Sequence, residues 1–477
     1  MPIPESPPTA RASRAQENGC GYWPSLADIY LPDDPCPTCR YRRRQHPHLP
    51  AALQINLALY NAAVRILISA GEASGEMYGA QLIEALRRQQ ALNMAGEGAR
   101  PTHTLEFFGV GGEKMRAAGC DTVVDAKDLA VVGITEILSH LPKIWGLFHK
   151  LIAEADKRKP DLAIVIDSPA FNWRVARQMK KRGIPVVYYV CPQFWAWRQG
   201  RVRLLGKYID KALVIFPFEE KFYRDRGVAA EFVGHPLADL PRPAVSRDEY
   251  AAQNGLDPAK PWITLMPGSR VREVRMNLPG MLGAARLLGK EYEFILPIAP
   301  NLDSGLLHSL VAARSAAGRV RAPAPTCSQV ESVEVTVHLV PDALPALAHS
   351  RAGIIASGTA TVEAAIMETP FVMVYRVTPL TYLLGRSTVK VPHFAMVNLI
   401  AGREVVPELV QQDFTAERVA AEVQRIIPDR KERETMLAGL REVRELLRGN
   451  GELSVHPVDR AARAILSWAG APVQVPV

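Results

Sequence analysis

Arg65 to Ala70 read RILISA, Gly71 to Glu76 read GEASGE, and Met77 to Gln89 read MYGAQLIEALRRQ. The first run is short and apolar without alternation, as in a strand covered on both faces. The third has helical character, and the glycines between them mark a tight turn. Strand, glycine turn and helix make the opening half of a βαβ unit.

The unit recurs. LEFFGV, DLAIVID, IPVVYYV and ALVIFPF are further strand-like runs, separated by helices such as the one through Trp173 to Arg182. A proline-rich break at Pro236 to Pro243 interrupts them. The alternation then restarts with WITLMPG, a helix near Met276 to Leu288, YEFILPI, VTVHLV, AGIIAS and FVMVYR. Such alternation builds parallel sheets wrapped by helices. The expected fold is therefore α/β, with two Rossmann-like domains facing across a cleft, 64–238 and 239–414. A charged helical segment, 415–477, is expected to cross back over both halves. Residues 1–63 are expected to lie outside any core: the first fifty hold ten of the 38 prolines, with arginines at Arg40 and Arg42 to Arg44.

A chain of 477 residues exceeds one ordinary core, in line with two domains. It is 48% hydrophobic and 22% charged, the balance of a soluble globular protein. The formal charge of +8 points to anionic company. No nucleic-acid-binding signature accompanies it, so phosphorylated small ligands and lipid headgroups are the expected partners. No apolar run spans a bilayer, and MPIPESPPTARAS lacks the apolar centre of a secretion signal. Six cysteines form no disulfide framework, which fits a reducing cytoplasm. Cys36 and Cys39 have zinc-knuckle spacing near His46 and His48, but Cys20 is awkwardly distant, and no metal or other cofactor is assigned.

Several motifs carry candidate chemistry. Gly71, Gly75 and Gly79 sit where the first strand turns into its helix, either as a plain structural turn or as a backbone that approaches a ligand. Pro267-Gly268-Ser269-Arg270 follows a strand directly, where Arg270 can grip a diphosphate with a fork of donors. Ser357-Gly358-Thr359 opens a helix after AGIIA; hydroxyls, glycine and free N–H groups make an anion cradle, an ordinary helix cap, or both. Asp167 ends DLAIVID at the expected mouth of the cleft. Trp195 and Trp197, followed by Arg198, Arg201 and Arg203, read as a pocket for a flat or sugar-like phosphorylated ligand, or as a tryptophan-rich core corner with solvated arginines. His235 either contacts a ligand or braces the hinge.

These stretches occur in an order that resembles the lipid A disaccharide synthase family. The resemblance rests on ISAGEASGEMYGA (Ile68 to Ala80), FFGVGGEKMRAAG (Phe107 to Gly119), LAVVGITEIL (Leu129 to Leu138) and IDSPAFN (Ile166 to Asn172). It continues through VCPQFWAWRQGRV (Val190 to Val202), VGHPLAD (Val233 to Asp239), LMPGSRVREV (Leu265 to Val274), ASGTATVEAA (Ala356 to Ala365) and NLIAGREVVPELVQ (Asn398 to Gln411). It covers the chain from about Val64 onward. Two departures stand out: Ala170 replaces a usual aspartate, and Glu76 replaces another.

The resemblance implies a GT-B glycosyltransferase. Its reaction would be an inverting, metal-independent transfer from UDP-2,3-diacylglucosamine to 2,3-diacylglucosamine 1-phosphate, giving a β-1,6 disaccharide and UDP. Asp167 is then the candidate base and Arg270 the group that meets the departing charge. Gly268, Ser269, Ser357, Gly358, Thr359, Glu363 and Asn398 fall on the nucleotide side, with Glu363 toward the ribose. Gly71, Ser74, Gly75, Trp197, Arg198 and Arg201 fall on the acceptor side. Ile134, Ile137, Leu138, Leu141, Trp145 and Phe148 recur at helical spacing with Lys143, His149 and Lys150 close by. That pattern suits either a core face or a peripheral contact with the inner face of the cytoplasmic membrane, for which Ile137, Leu138, Leu141 and Trp145 are the candidates. A homodimer remains open. A sugar-nucleotide 2-epimerase of similar architecture and a non-catalytic, membrane-associated UDP-sugar binding protein are the competing readings.

Overall fold

The computed structural model describes residues 63–96, 104–129, 134–197, 199–299, 302–316, 335–378, 382, 391–449 and 455–470. The cysteine and histidine cluster at 20–48 and Arg198 lie outside the described residues. So do the side chains of Ile137, Leu138, Leu141 and Trp197.

The first sheet holds β1 (Ala63–Ala70), β2 (Thr104–Gly111), β3 (Cys120–Asp125), β4 (Leu162–Ile166), β5 (Val186–Tyr189), β6 (Lys211–Val214) and β7 (Ala230–Phe232). Its order is β3-β2-β1-β4-β5-β6-β7. The second holds β8 (Trp262–Met266), β9 (Glu293–Pro297), β10 (Val337–Val340), β11 (Ala352–Ala356), β12 (Phe371–Tyr375) and β13 (Glu408–Val410), in the order β10-β9-β8-β11-β12-β13. Every pairing is parallel. Two Rossmann-like halves are therefore present, as expected. Three further strands, β3, β7 and β13, were not expected, and the ALVIFPF run leaves the sheet early: Pro217 opens the helix Pro217–Arg224.

Both faces of each sheet are covered, which is why the strands read as unbroken apolar runs. In β1, Ile66 and Ile68 join one buried cluster, with Leu82 and Ile83 of the helix Ala73–Gly96, while Leu67 joins another on the opposite face. The first cluster continues into the second half through Ile263, Leu265 and Ile354.

The C-terminal helices divide their work. Ala416–Ile426 and Lys431–Arg448 pack mainly on the second half, the former against the helix Val271–Leu288, while the end of the latter also reaches the first half, where Leu447 O accepts from His235 N at 2.8 Å. Pro457–Gly470 crosses to the first half and packs on Ala73–Gly96. Arg88 pairs there with Asp459 at 2.8 Å, and Arg463 donates to Gln89 at 3.1 Å. Among the described residues no helix is long and apolar enough to cross a membrane.

Candidate active site

Each sheet has one place where the strand order reverses: between β1 and β4, and between β8 and β11. The carboxyl ends of strands flanking such a point leave a crevice, the usual ligand seat of open α/β sheets. Ala70 pairs with Ile166 at the first point and Met266 with Ile355 at the second. The loops that follow these four strands carry Gly71 to Ser74, Asp167 and Ser168, Gly268 to Arg270, and Ser357 to Thr359.

Asp167 and Ser168 both adopt left-handed backbone, with φ of 47° and 46°. Two successive non-glycine residues in that region store strain, and the surroundings hold them there. Asn172, fully buried, donates to Ile166 O at 2.7 Å, Asp167 O at 2.9 Å and Ser69 O at 3.1 Å. Tyr188 adds a hydrogen bond to Asp167 O at 2.8 Å. Burial pushes the Asp167 carboxyl up to about 6, and the charge of Glu72 adds to the rise. The Ser168 N–H and the positive charge of Arg270 pull in the other direction. Asp167 of the first half and Arg270 of the second thus share one electrostatic environment.

The glycine loop lies against this carboxylate. A Cβ on Gly71 would stand 2.6 Å from Ser168 Oγ, so a side chain has no room there. A Cβ on Gly75 would meet Asp167 Cβ at 3.8 Å, an ordinary contact. Ser74 is half-buried in the first helical turn. Glu76 accepts from Lys114 N at 2.8 Å and serves the next helix, Glu113–Ala117, as a cap.

In the second half, Glu273 shapes the loop after β8. It accepts from Ser269 N at 3.2 Å and pairs with Arg270 at 3.6 Å, while the Arg270 side chain stays 73% exposed toward solvent. Gly268 has φ of 120°, and a Cβ there would strike Glu273. Asn277, buried, joins Pro267 O at 3.0 Å to Arg376 N at 2.9 Å. Next door, Ser357 donates to Phe394 O at 2.8 Å and Thr361 to Gly358 O at 2.8 Å. Thr359 is exposed at the start of the helix Thr359–Ile366, and the space beside Gly358 is open. Glu363, one turn in, has its carboxyl raised by burial.

Tyr78 packs edge-on against His235, with ring centroids 6.3 Å apart. It is buried, and the charges of both Glu363 and Asp167 reach its hydroxyl, which burial pushes far up. The sequence reading passed over Tyr78, Glu72, Asn277 and Glu408. Tyr78 was accessible to it, since Ser74 and Tyr78 lie four residues apart on one helical face.

The remaining residues singled out from the sequence sit as their local packing dictates. Trp195 is buried and donates its indole N–H to Glu219 at 2.9 Å, so it belongs to the core corner and not to a ligand pocket. Trp197 ends the short helix Phe194–Trp197, and Arg201 opens the next, Arg201–Leu205. His235 is buried, its ring Nδ1 accepts from Leu237 N at 3.1 Å, and its main-chain N–H donates to Leu447 O at 2.8 Å. Burial pulls its pKa down to about 3, so it braces the hinge as a neutral ring. Asn398 spends its whole amide internally: on Val406 O, Glu408, Val405 N and Val406 N. In the helix Ile134–Arg158, Phe148 is core; Trp145 stacks on it at 5.7 Å and is half-buried; Lys143 pairs with Asp128 at 2.7 Å.

Comparison with known proteins fits this geometry. Residues 66–454 match the lipid-A-disaccharide synthetase family. A lipid-A-disaccharide synthase of Koribacter versatilis (strain Ellin345) is 52% identical over 406 residues, 85% of this chain and 99% of that protein. Another, of Acidobacterium capsulatum, is 48% identical over 409 residues, 85% of this chain and 97% of that one. Among solved structures, a calicheamicin glycosyltransferase superposes with a TM-score of 0.50 at 16% identity, covering 86% of this chain and 100% of its own. A UDP-GlcNAc 2-epimerase of Methanocaldococcus jannaschii gives 0.51 at 11% identity, with 85% and 99% covered. Likeness at such identities speaks for the GT-B-like fold alone and does not separate transferase from epimerase. The sequence relatives do separate them: the chain belongs to the lipid-A-disaccharide synthase family and is a glycosyltransferase.

Proposed function

We propose that the cleft transfers 2,3-diacylglucosamine from UDP to the 6-hydroxyl of 2,3-diacylglucosamine 1-phosphate, with inversion. The carrying observation is that Asp167 and Arg270 stand on the loops that follow the switch-point strands of the two halves, with the Arg270 charge acting on the Asp167 carboxyl. A carboxyl whose pKa stands at about 6 is ionised at neutral pH yet basic enough to accept a proton. Asp167 takes the acceptor hydroxyl proton, the oxygen bonds to the anomeric carbon, and the carbon–oxygen bond to the diphosphate breaks on the opposite face. The charge released on UDP falls between the Arg270 guanidinium and the unpaired N–H groups at the start of Thr359–Ile366. Gly268 and Ser269 shape that seat, with Ser357 and Gly358, and Glu363 faces the ribose diol.

The acceptor side is assigned to Gly71, Ser74, Gly75 and Trp197, and the acceptor phosphate to Arg198 and Arg201. Asn398 acts indirectly, by holding Glu408. The acylated substrates draw the enzyme to the inner face of the cytoplasmic membrane as a peripheral protein, through the first turns of Ile134–Arg158.

The test is incubation of the purified chain with both acylated substrates and a search for the disaccharide by mass. Release of UDP without acceptor, and no disaccharide with it, would overturn this reading in favour of epimerase-type chemistry.

A further inference from the structure

Five large apolar side chains stand exposed among the described residues, and the two aromatic ones, Tyr382 and Phe394, both fall in the stretch that leaves β12. Isolated exposed apolar residues are common and need no explanation. Phe394 differs in how firmly it is held. The Glu408 carboxylate accepts from Phe394 N at 2.8 Å and from Ala395 N at 2.9 Å. Asn398 braces that carboxylate at 2.8 Å, and the next residues, Ala395 to Asn398, are buried. A rigid, buried-flanked turn thus presents a ring that is 40% exposed.

Its position adds the second argument. Ser357 docks this turn through Phe394 O at 2.8 Å, so Phe394 sits at the helix start given to the diphosphate and not beside Glu363, given to the ribose. A sugar nucleotide runs from ribose through diphosphate to sugar, which puts Phe394 on the sugar side. Tyr382 belongs to the same stretch after β12: its main-chain N–H donates to Thr378 O at 2.9 Å, and Thr378 Oγ1 in turn accepts from Arg272, on the helix Val271–Leu288, at 3.3 Å.

We propose that Phe394, aided by Tyr382, is an apolar lip that receives an acyl chain of the donor and discriminates acylated from unacylated UDP-sugars. The inference rests on the donor assignment above. It assigns Glu408 and Asn398 as positioning residues that act through Phe394.

The experiment is a binding competition on the full chain, which needs no turnover. UDP, UDP-N-acetylglucosamine and a short-chain, water-soluble 2,3-diacyl donor compete against a fluorescent UDP probe. The parent is expected to prefer the acylated donor, and Phe394→Ala to lose roughly 5- to 50-fold of that preference, the worth of partly burying one phenylalanine side chain. Phe394→Leu should recover most of it, and UDP itself should bind all three proteins alike. The inference is overturned if the preference survives Phe394→Ala, or if UDP weakens in the same ratio, because the ring then meets the nucleotide. A parent that binds the acylated donor selectively but forms no disaccharide overturns the proposed reaction and leaves the acyl contact standing.

Discussion

Asn172 Nδ2 donates to the main-chain oxygen of Asp167 at 2.9 Å, and the same amide holds Ser69, through its O at 3.1 Å and its Oγ at 2.6 Å. One buried side chain therefore fixes the ends of both strands at the first switch point. It leaves the Asp167 carboxyl no backbone freedom with which to follow a proton. A base held this way is oriented before substrate arrives, which is where positional catalysis gets its advantage.

Asp167→Asn should lower turnover by roughly 10²–10⁴-fold, the usual worth of a positioned base. The parent rate should itself fall as pH drops through about 6, where the carboxyl protonates. Stability should move the other way. The folded pKa stands above the ordinary 3.8, so the group's contribution is full below about pH 4 and declines as pH rises to about 6. The deficit at neutral pH is at most about 3 kcal/mol, less for the part of the side chain that meets water. The asparagine variant should accordingly melt higher than the parent at pH 7, and the two should converge near pH 4. Parental turnover with no gain in Tm would remove Asp167 from the role.

Arg270→Ala should cost about 3–4 kcal/mol of transition-state stabilisation, the scale of one preorganised donor. It should also shift the acid limb of the pH–rate profile upward, because the Arg270 charge now draws the Asp167 pKa down. Arg270→Lys should leave that limb nearly in place while recovering only part of the rate, since the charge remains and the donor fork is lost. A rate loss with an unmoved limb would mean that the two residues work independently.

Much of this was legible from Arg65 onward because both sheets are parallel and covered on both faces, so their strands announce themselves as apolar runs. The strands that escaped notice, β3, β7 and β13, are either short or partly polar, as in CDTVVD. Strand order was not legible, since nothing local says that β4 pairs with β1 and not with β3. The two readings of Trp195, ligand pocket and core corner, stayed open for a related reason. The residue that satisfies its indole N–H, Glu219, lies far enough along the chain that no spacing rule joins them. Asn398 stands at a family motif position yet faces inward, and burial is what sequence spacing cannot report in a loop.

That buried pair makes its own prediction. The Glu219 carboxyl accepts from Trp195 at 2.9 Å, Phe216 N at 3.1 Å and Ile215 N at 3.2 Å, and burial still pushes it up to about 7. With the folded pKa above the ordinary 4.5, its contribution to stability is full below about pH 4.5 and lost as pH rises through about 7. Trp195→Phe removes one donor, should cost about 1–3 kcal/mol for the acceptor left unpaired, and should extend the loss to higher pH. Melting curves from pH 5 to 8.5 would show it. An unchanged Tm and pH slope would mean that the indole hydrogen bond contributes nothing.

The last prediction concerns how an enzyme with no membrane-crossing helix among its described residues reaches acylated substrates. In the helix Ile134–Arg158 the later part of the apolar stripe is committed to the core. Phe148 is buried in the first-half core, Trp145 stacks on it at 5.7 Å, and Ile144 and Leu147 pack against the same cluster. That end is anchored and cannot enter a bilayer without unfolding, so within this helix the proposed membrane contact is assigned to Ile137, Leu138 and Leu141 ahead of Pro142. Each acyl methylene drawn into water costs about 0.8 kcal/mol, so meeting the substrate at the surface is far cheaper than extracting it. Leu138→Glu with Leu141→Glu should leave Tm within a few degrees of the parent and abolish sedimentation with anionic vesicles. It should also raise the KM for long-chain donor while sparing a short-chain soluble one. Phe148→Ala should instead cost about 3–5 kcal/mol of stability, as a core truncation does. A double variant that stays folded and still sediments like the parent would move the contact elsewhere on the molecule.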